Sequence, residues 1–326
     1  MFFVLAKQLD NGKAFEYACL EALYSALKDY EEIVIEPSAP LETAKGKYQD
    51  LPNETQKKLT DAANAAARVI ARLEPQLKYE DDSSPLVLAI QSDAHGIAGD
   101  VRDVVCIRRK NKWEIGLSCK HNHHAVKHSR LSKTIDFGKE WIGVPCSNQY
   151  FAEINPLFDE LQNMKDAAAR EGRKALWSEI ENKSERFYKP LLQSFMDELN
   201  RLAQIDEGTP TKLVEYLIGR YDFYKVITDD RHRTTRVEAF NLAGTLNRPV
   251  KNHRSIVDIP RLHFPTKFYH IGFKSNSDNT IEVVCDEGWT ISMRIHNASS
   301  KIEASLKFDV KLISLPSSIY AQVEPW

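Results

Sequence analysis

Two apolar runs separated by three polar residues constrain this chain more than any other stretch. Val101 to Arg108 and Lys112 to Lys120 flank Arg109-Lys110-Asn111 and read as a β-hairpin. Gly99-Asp100-Val101-Arg102-Asp103 opens the first strand, and Lys120 closes the second, seventeen positions after Asp103. Side chains alternate along a strand, so Ser118 and Lys120 share one face and the Cys119 carbonyl lies between them. The hairpin therefore carries an acid at its entry and a cation at its exit.

The rest of the chain supplies partners for this hairpin. Phe15, Ala18, Cys19, Ala22, Leu23 and Ala26 recur at helical spacing and predict a helix over 12–29. Residues 32–36 read as a short strand. An alanine-rich helix follows over 53–74, then an apolar strand from Leu86 to Ile90 and a loop from Asp93 to Gly99. His124 to Leu131 reads as the start of a helix. Asn155 to Gln204 is strongly helical, with a break near Pro190, and Thr209 or Thr211 caps a further helix running toward Ile227. Residues 268–274, 280–285, 288–296 and 301–314 are short β-like runs between turn residues. The expectation is an α/β (α+β) chain. A mixed β-sheet core flanked by helices is followed by a helical insertion and a β-rich C-terminal region. Residues 1–150 would form a core with a metal site. Residues 151–326 would form a helical and β-rich recognition region packed against it.

Charge is near balance overall, at −2, but it is unevenly distributed. Residues 1–100 hold 10 Lys/Arg against 17 Asp/Glu, whereas 102–139 hold 10 against 3 and 220–274 hold 11 against 5. Eight of the ten histidines fall in those two basic segments. Segregation of this kind points to a polyanion. Five scattered cysteines without a CxxC pair read as reduced thiols in the cytoplasm. Neither a signal peptide nor a membrane-length apolar run is visible.

An acid, a lysine and a basic run suit phosphodiester hydrolysis, in which a divalent cation neutralises the phosphate and activates water. Asp103 supplies one carboxylate for Mg²⁺, with the Cys119 carbonyl as a second ligand. Lys120 holds a phosphate oxygen or orients the water. Ser118 is neutral and cannot replace a carboxylate, so the missing acid comes from elsewhere. Glu16 on the first helix is the candidate. Glu114 shares the parity of Lys120 but lies about 20 Å along the strand. The run after Lys120 (His121, Asn122, His123, His124, then Lys127 and Arg130) is rich in phosphate donors. Further DNA-contact candidates are Lys225, Arg231, Arg233, Arg236, Lys251, His253, Arg254, Arg294, His296 and Asn297.

The blocks EIGLSCKHNHHAVKHSRLS, NGKAFEYACLEAL, YLIGRYDFYKVI and DEGWTISMRIHNASSKIEASLKFDV resemble those of HaeIII-type type II restriction endonucleases, within the PD-(D/E)XK nuclease superfamily. The resemblance spans most of the chain. It implies a bacterial, magnesium-dependent enzyme cutting double-stranded DNA at a short palindrome, GGCC for close relatives. It also implies a cognate DNA methyltransferase that shares the site but need not bind. Asp103 and Lys120 match the family's catalytic strand pair, and Glu16 the acidic helix position. Ser118 departs from the superfamily pattern and leaves open whether one metal is held or two. A homodimer fits a palindrome.

Two other readings stay open at this point. His121-Asn122-His123 spells HNH, and His124 with His128 has a zinc-binding spacing on a helix, as in a histidine–metal nuclease. A non-catalytic sequence-specific DNA-binding protein fits the basic segments. It leaves Asp103 beside them without a purpose.

Overall fold

The computed structural model describes residues 2–79, 84–92, 99–122, 125–127, 129–255 and 257–326, with side chains for all of these except 2–9 and 125–127. The expected loop from Asp93 lies outside the described residues as far as 98. The chain divides into two compact units, each discontinuous in sequence. Met1–His124, Arg220–Leu262 and Ser318–Trp326 form the first, and Ala125–Gly219 with His263–Ser317 the second. Strands that follow residue 150 pair into the first unit's sheet, so that ladder runs across the boundary expected there.

The first unit is built on a mixed seven-stranded sheet. Its strands are β1 (Ile33–Ile35), β2 (Leu86–Ile90), β3 (Val104–Arg108), β4 (Trp113–His121), β7 (Phe223–Asp229), β8 (Thr234–Phe240) and β13 (Tyr320–Pro325), in that spatial order. The β1/β2 and β4/β7 pairs are parallel and the others antiparallel. Helices α1 (Phe2–Leu27), α2 (Ala39–Gln49) and α3 (Asn53–Leu73) complete it. Ile115, Leu117 and Cys119 of β4, with Tyr224 and Val226 of β7, join one buried core with Phe15, Cys19 and Leu23 of α1 and the alanine face of α3. Alanines at 62, 63, 66 and 67 let α3 approach closely. Each fully buried leucine, such as Leu86 or Leu88, contributes roughly 1.5–3 kcal/mol. Because strand residues alternate, the opposite face of the sheet carries Glu114, Gly116, Ser118, Lys120, Lys225 and Glu238.

The second unit holds a sheet in the order β5 (Ala125–Lys127), β12 (Leu306–Ser314), β11 (Thr290–His296), β10 (Thr280–Cys285) and β9 (Phe268–Phe273), with β6 (Arg130–Leu131) also on β12. Helices α4 (Asn148–Arg170), α5 (Lys189–Ile205) and α6 (Thr209–Ile218) belong to it.

The mixed sheet with flanking helices and the β-rich end agree with the fold class expected. Three local expectations change. Ala125–Lys127 and Arg130–Leu131 are not helical: they pair as two short strands with β12, and Leu131 is buried beside Leu306 in register. The helix after Thr209 stops at Ile218, where Gly219 turns at φ +86°, and Phe223–Asp229 is a strand. Aromatic and β-branched residues at 223–228 favour the pleated form. Helix α2 escapes the periodicity reading because only Leu41 and Ala44 of it are buried, although Ser38 caps it through the Leu41 N–H.

Candidate active site

Asp103 sits immediately before β3, where its backbone already belongs to the sheet. Its N–H donates to the Leu117 carbonyl at 2.7 Å, and its own carbonyl accepts from the Gln91 N–H at 2.9 Å. Its carboxylate turns along β4. Asp103 Oδ2 accepts from the Cys119 N–H at 2.6 Å and from Lys120 Nζ at 3.2 Å. The acid at the hairpin's entry and the cation at its exit thus meet. Burial pulls the Lys120 ammonium down, but the Asp103 carboxylate outweighs that and holds it above its ordinary value.

Glu16 arrives from α1, buried and bonded to Lys13 Nζ at 3.1 Å. Burial, reinforced by the charge of Asp103, pushes its carboxyl up to about 8, against the opposing pull of Lys13 and Lys120. Glu16, Asp103 and Lys120 therefore form one electrostatic neighbourhood. Lys13 was not anticipated. Its signal was the i,i+3 spacing to Glu16 on a predicted helix. The Cys119 thiol is buried and engages Cys19, within reach of the Asp103 and Glu16 charges, while its backbone N–H serves Asp103.

Ser118 is buried and stands in register beside Lys225 of β7, which stands in register beside Glu238 of β8. Lys225 is therefore no surface phosphate donor. It is 3 % exposed, and burial lowers its ammonium to about 8. Arg236 donates Nε to Glu238 Oε1 at 2.6 Å. The place where an acid was missing is thus flanked by a buried cation with its own carboxylate.

His121 ends β4 on the face opposite Lys120. It is buried and contacts Asp230 Oδ2 at 3.1 Å, while Asn122 Nδ2 donates to the same oxygen at 3.0 Å. The Asp230 N–H returns a bond to Asn122 Oδ1 at 3.0 Å. This knot borders a cleft of about 550 Å³ lined by Ile227, Thr228, Arg231 and Arg236 among others. His121 and Asn122 thus hold the strand end together. His123, His124 and His128 lie outside the described residues, as does the side chain of Lys127.

The other candidates divide between the units. In the first, Arg231, Arg233 and Arg254 are exposed. The Arg233 guanidinium lies 5.6 Å from the Trp326 ring, and His253 stacks on Tyr79. Lys251 is exposed there too. In the second, Arg130 pairs with Glu303 at 2.9 Å and Arg294 with Asp309 at 3.2 Å. There His296 Nδ1 meets the Asn297 carbonyl, and Asn297 accepts from the Tyr188 hydroxyl at 3.0 Å. Among the described residues no group of three or more His, Cys, Asp or Glu is placed to hold a metal ion, and no helix is long and apolar enough to cross a membrane.

A family model described as HaeIII restriction endonuclease matches residues 12–316. The chain is 41 % identical to the type II restriction enzyme HaeIII of Haemophilus aegyptius over 321 residues, covering 98 % of each chain. No solved structure matches.

Proposed function

The chain belongs to the HaeIII restriction endonuclease family and is a type II site-specific endonuclease acting on double-stranded DNA; from that premise we propose a magnesium-dependent enzyme that cuts at GGCC. The observation that carries the catalytic assignment is the meeting of Asp103 with Lys120 and the Cys119 N–H. Glu16, Asp103 and the Cys119 carbonyl would hold the cation. All are hard oxygen donors, and Glu16 is pushed up by burial and by the neighbouring Asp103 charge, which a divalent cation relieves. Magnesium keeps several waters, so two carboxylates and a carbonyl suffice. When bound, it supplies charge to the phosphate and acidity to a water.

Lys120 orients the attacking water or grips a non-bridging phosphate oxygen. Asp103 keeps Lys120 charged and fixes its direction. Ser118 leaves its place on the catalytic face uncharged. Guanines are read by paired donors to O6 and N7 in the major groove, which suits exposed Arg231, Arg233, Arg254 or Arg294. Asn122, Lys127, Arg130 and Arg236 suit phosphates. Residues 151–326 would supply the DNA-recognition region. The enzyme acts in the bacterial cytoplasm as a homodimer. A cognate methyltransferase marking the same site would protect host DNA and need not bind the nuclease.

The decisive experiment is digestion of a plasmid of known sequence with Mg²⁺, with and without chelator, followed by mapping of the ends. Expected are discrete fragments ending within GGCC, lost on chelation. Ends at another sequence refute the specificity; random or absent cutting refutes the enzyme. His123→Ala and His124→Ala proteins still cut on this reading, whereas a histidine–metal nuclease would lose activity.

A further inference from the structure

Arg102, the residue before Asp103, is 5 % exposed; its Nε and Nη2 are engaged, while Nη1 is buried without a hydrogen-bond partner. Asp100 Oδ1 accepts from the Arg102 N–H at 3.1 Å and from its Nε at 2.8 Å. Asp100 Oδ2 accepts from Arg102 Nη2 at 2.7 Å and from Gln91 Nε2 at 3.0 Å. The same Nη2 lies 2.5 Å from Glu114 Oε1 on β4. The Tyr221 ring covers the guanidinium at 4.2 Å.

The alkyl stem of Arg102 crosses β4 at Gly116. A Cβ there would lie 2.2 Å from Arg102 Cδ, 2.5 Å from Cγ and 2.7 Å from Cβ. None of these atoms is the free end of a flexible chain, so no other residue fits at 116 while Arg102 stays. A glycine inside an apolar strand marks close approach of another group, and here that group is Arg102.

Two carboxylates hold Nε and Nη2, an aromatic ring covers the guanidinium, and Nη1 is buried, so the group is not offered to a DNA phosphate. Nor is a buried ion pair an efficient source of stability, since apolar replacements are often as stable. Its location suggests what it does supply. Gln91 binds Asp100 through its side chain and Asp103 through its backbone, and Asp103 is the next residue after Arg102. The fork thus locks the strand entry onto β2 and β4 immediately before the carboxylate departs.

We propose that Arg102 is a positioning residue for the cation-binding carboxylate: clamped by Asp100 and Glu114 across Gly116, it fixes the direction in which Asp103 projects. The clamp rests on the reading of Asp103 as a catalytic carboxylate. Outer partners of metal-binding groups typically govern about 10–100-fold in metal affinity or activity.

The test compares wild type with Arg102→Lys, Gly116→Ala and Asp103→Ala. Arg102→Lys keeps the charge but loses the fork, and Gly116→Ala drives the stem off the strand. Three readouts are taken: duplex affinity without divalent cation, Mn²⁺ binding to the enzyme–duplex complex by electron paramagnetic resonance, and single-turnover cleavage. Both clamp variants should keep duplex affinity within about threefold and lose about 10–100-fold in cleavage and Mn²⁺ affinity. Wild-type Mn²⁺ affinity and rate in Arg102→Lys overturn the proposal, as does a loss that only follows duplex affinity. If Asp103→Ala itself cleaves normally, the catalytic reading has failed; if it is dead while Arg102→Lys is normal, the clamp alone has failed. Should the buried variants not fold, Tyr221→Ala decides. It removes a half-exposed ring from the guanidinium, and it must weaken Mn²⁺ binding for the proposal to survive.

Discussion

At the scale of single residues, one oxygen organises the candidate site. Asp103 Oδ2 takes both the Cys119 N–H and Lys120 Nζ, and Oδ1 takes part in neither bond. Asp103→Ala and Lys120→Ala should bind a duplex carrying the site yet cut it at least about 10²-fold more slowly with Mg²⁺. Without cation, Asp103→Ala should bind more tightly than wild type, because a carboxylate beside a phosphate repels it. A Lys120→Ala protein that cuts at the wild-type rate would remove that residue from the chemistry. A second buried acid gives a prediction about stability. Glu74 is fully buried, accepts from the Tyr224 hydroxyl at 2.6 Å and the Asn247 N–H at 2.8 Å, and is raised by burial from 4.5 to about 8. Between those values the unfolded chain is ionised while the folded chain keeps the proton. This contribution is therefore greatest below pH 4.5 and is lost as pH rises toward 8. Glu74→Gln keeps the acceptor and cannot ionise. It should be more stable than wild type at pH 8–9, by on the order of a few kcal/mol, and equal to it near pH 4. Denaturant midpoints at the two pH values measure the difference; parallel curves would contradict it.

At the scale of elements, the hairpin was legible because period two and a short polar turn leave few alternatives, although the turn takes in Lys112 as a fourth residue. Its face assignments for Ser118 and Lys120 follow from the same rule. Helices α1 and α3 were legible from their apolar stripes. What failed was local reading against tertiary pairing. Ala125–Lys127 and Arg130–Leu131 are strands because β12 lies beside them, and Phe223–Asp229 is a strand because β4 offers a parallel partner. Arg102 and the Lys225–Glu238 pair were equally hidden, since a sequence does not say which residues stand beside Gly116 and Ser118. That register makes a prediction about Ser118. Parallel neighbours in register have side chains roughly 5 Å apart, so an acid at 118 meets Lys225 before it meets a cation. Ser118→Asp alone should leave Mn²⁺ affinity and cleavage no better than wild type. Ser118→Asp with Lys225→Met should bind Mn²⁺ more tightly than either single variant. The four proteins form a cycle, and a coupling of about 0.5–3 kcal/mol is expected for residues in contact. Strict additivity would mean that Lys225 has no hold on position 118.

At the scale of the whole molecule, near-neutral net charge conceals two basic segments, one running through the hairpin and one through β7, β8 and the residues after them. If these segments meet the backbone at 6–10 phosphates, affinity should fall by about 10³–10⁵ between 50 and 200 mM salt. A flat salt response would separate the basic segments from DNA binding. Each chain carries one Asp103–Lys120 pair, yet a palindrome presents two equivalent phosphodiesters related by a two-fold axis. Two chains arranged with the same axis place one centre at each strand. Sedimentation should therefore find two chains per duplex, and supercoiled plasmid should pass to linear form with little nicked circle accumulating. One chain per duplex, with nicked circle building up before linear product, would instead mean that a single centre cuts the strands in turn.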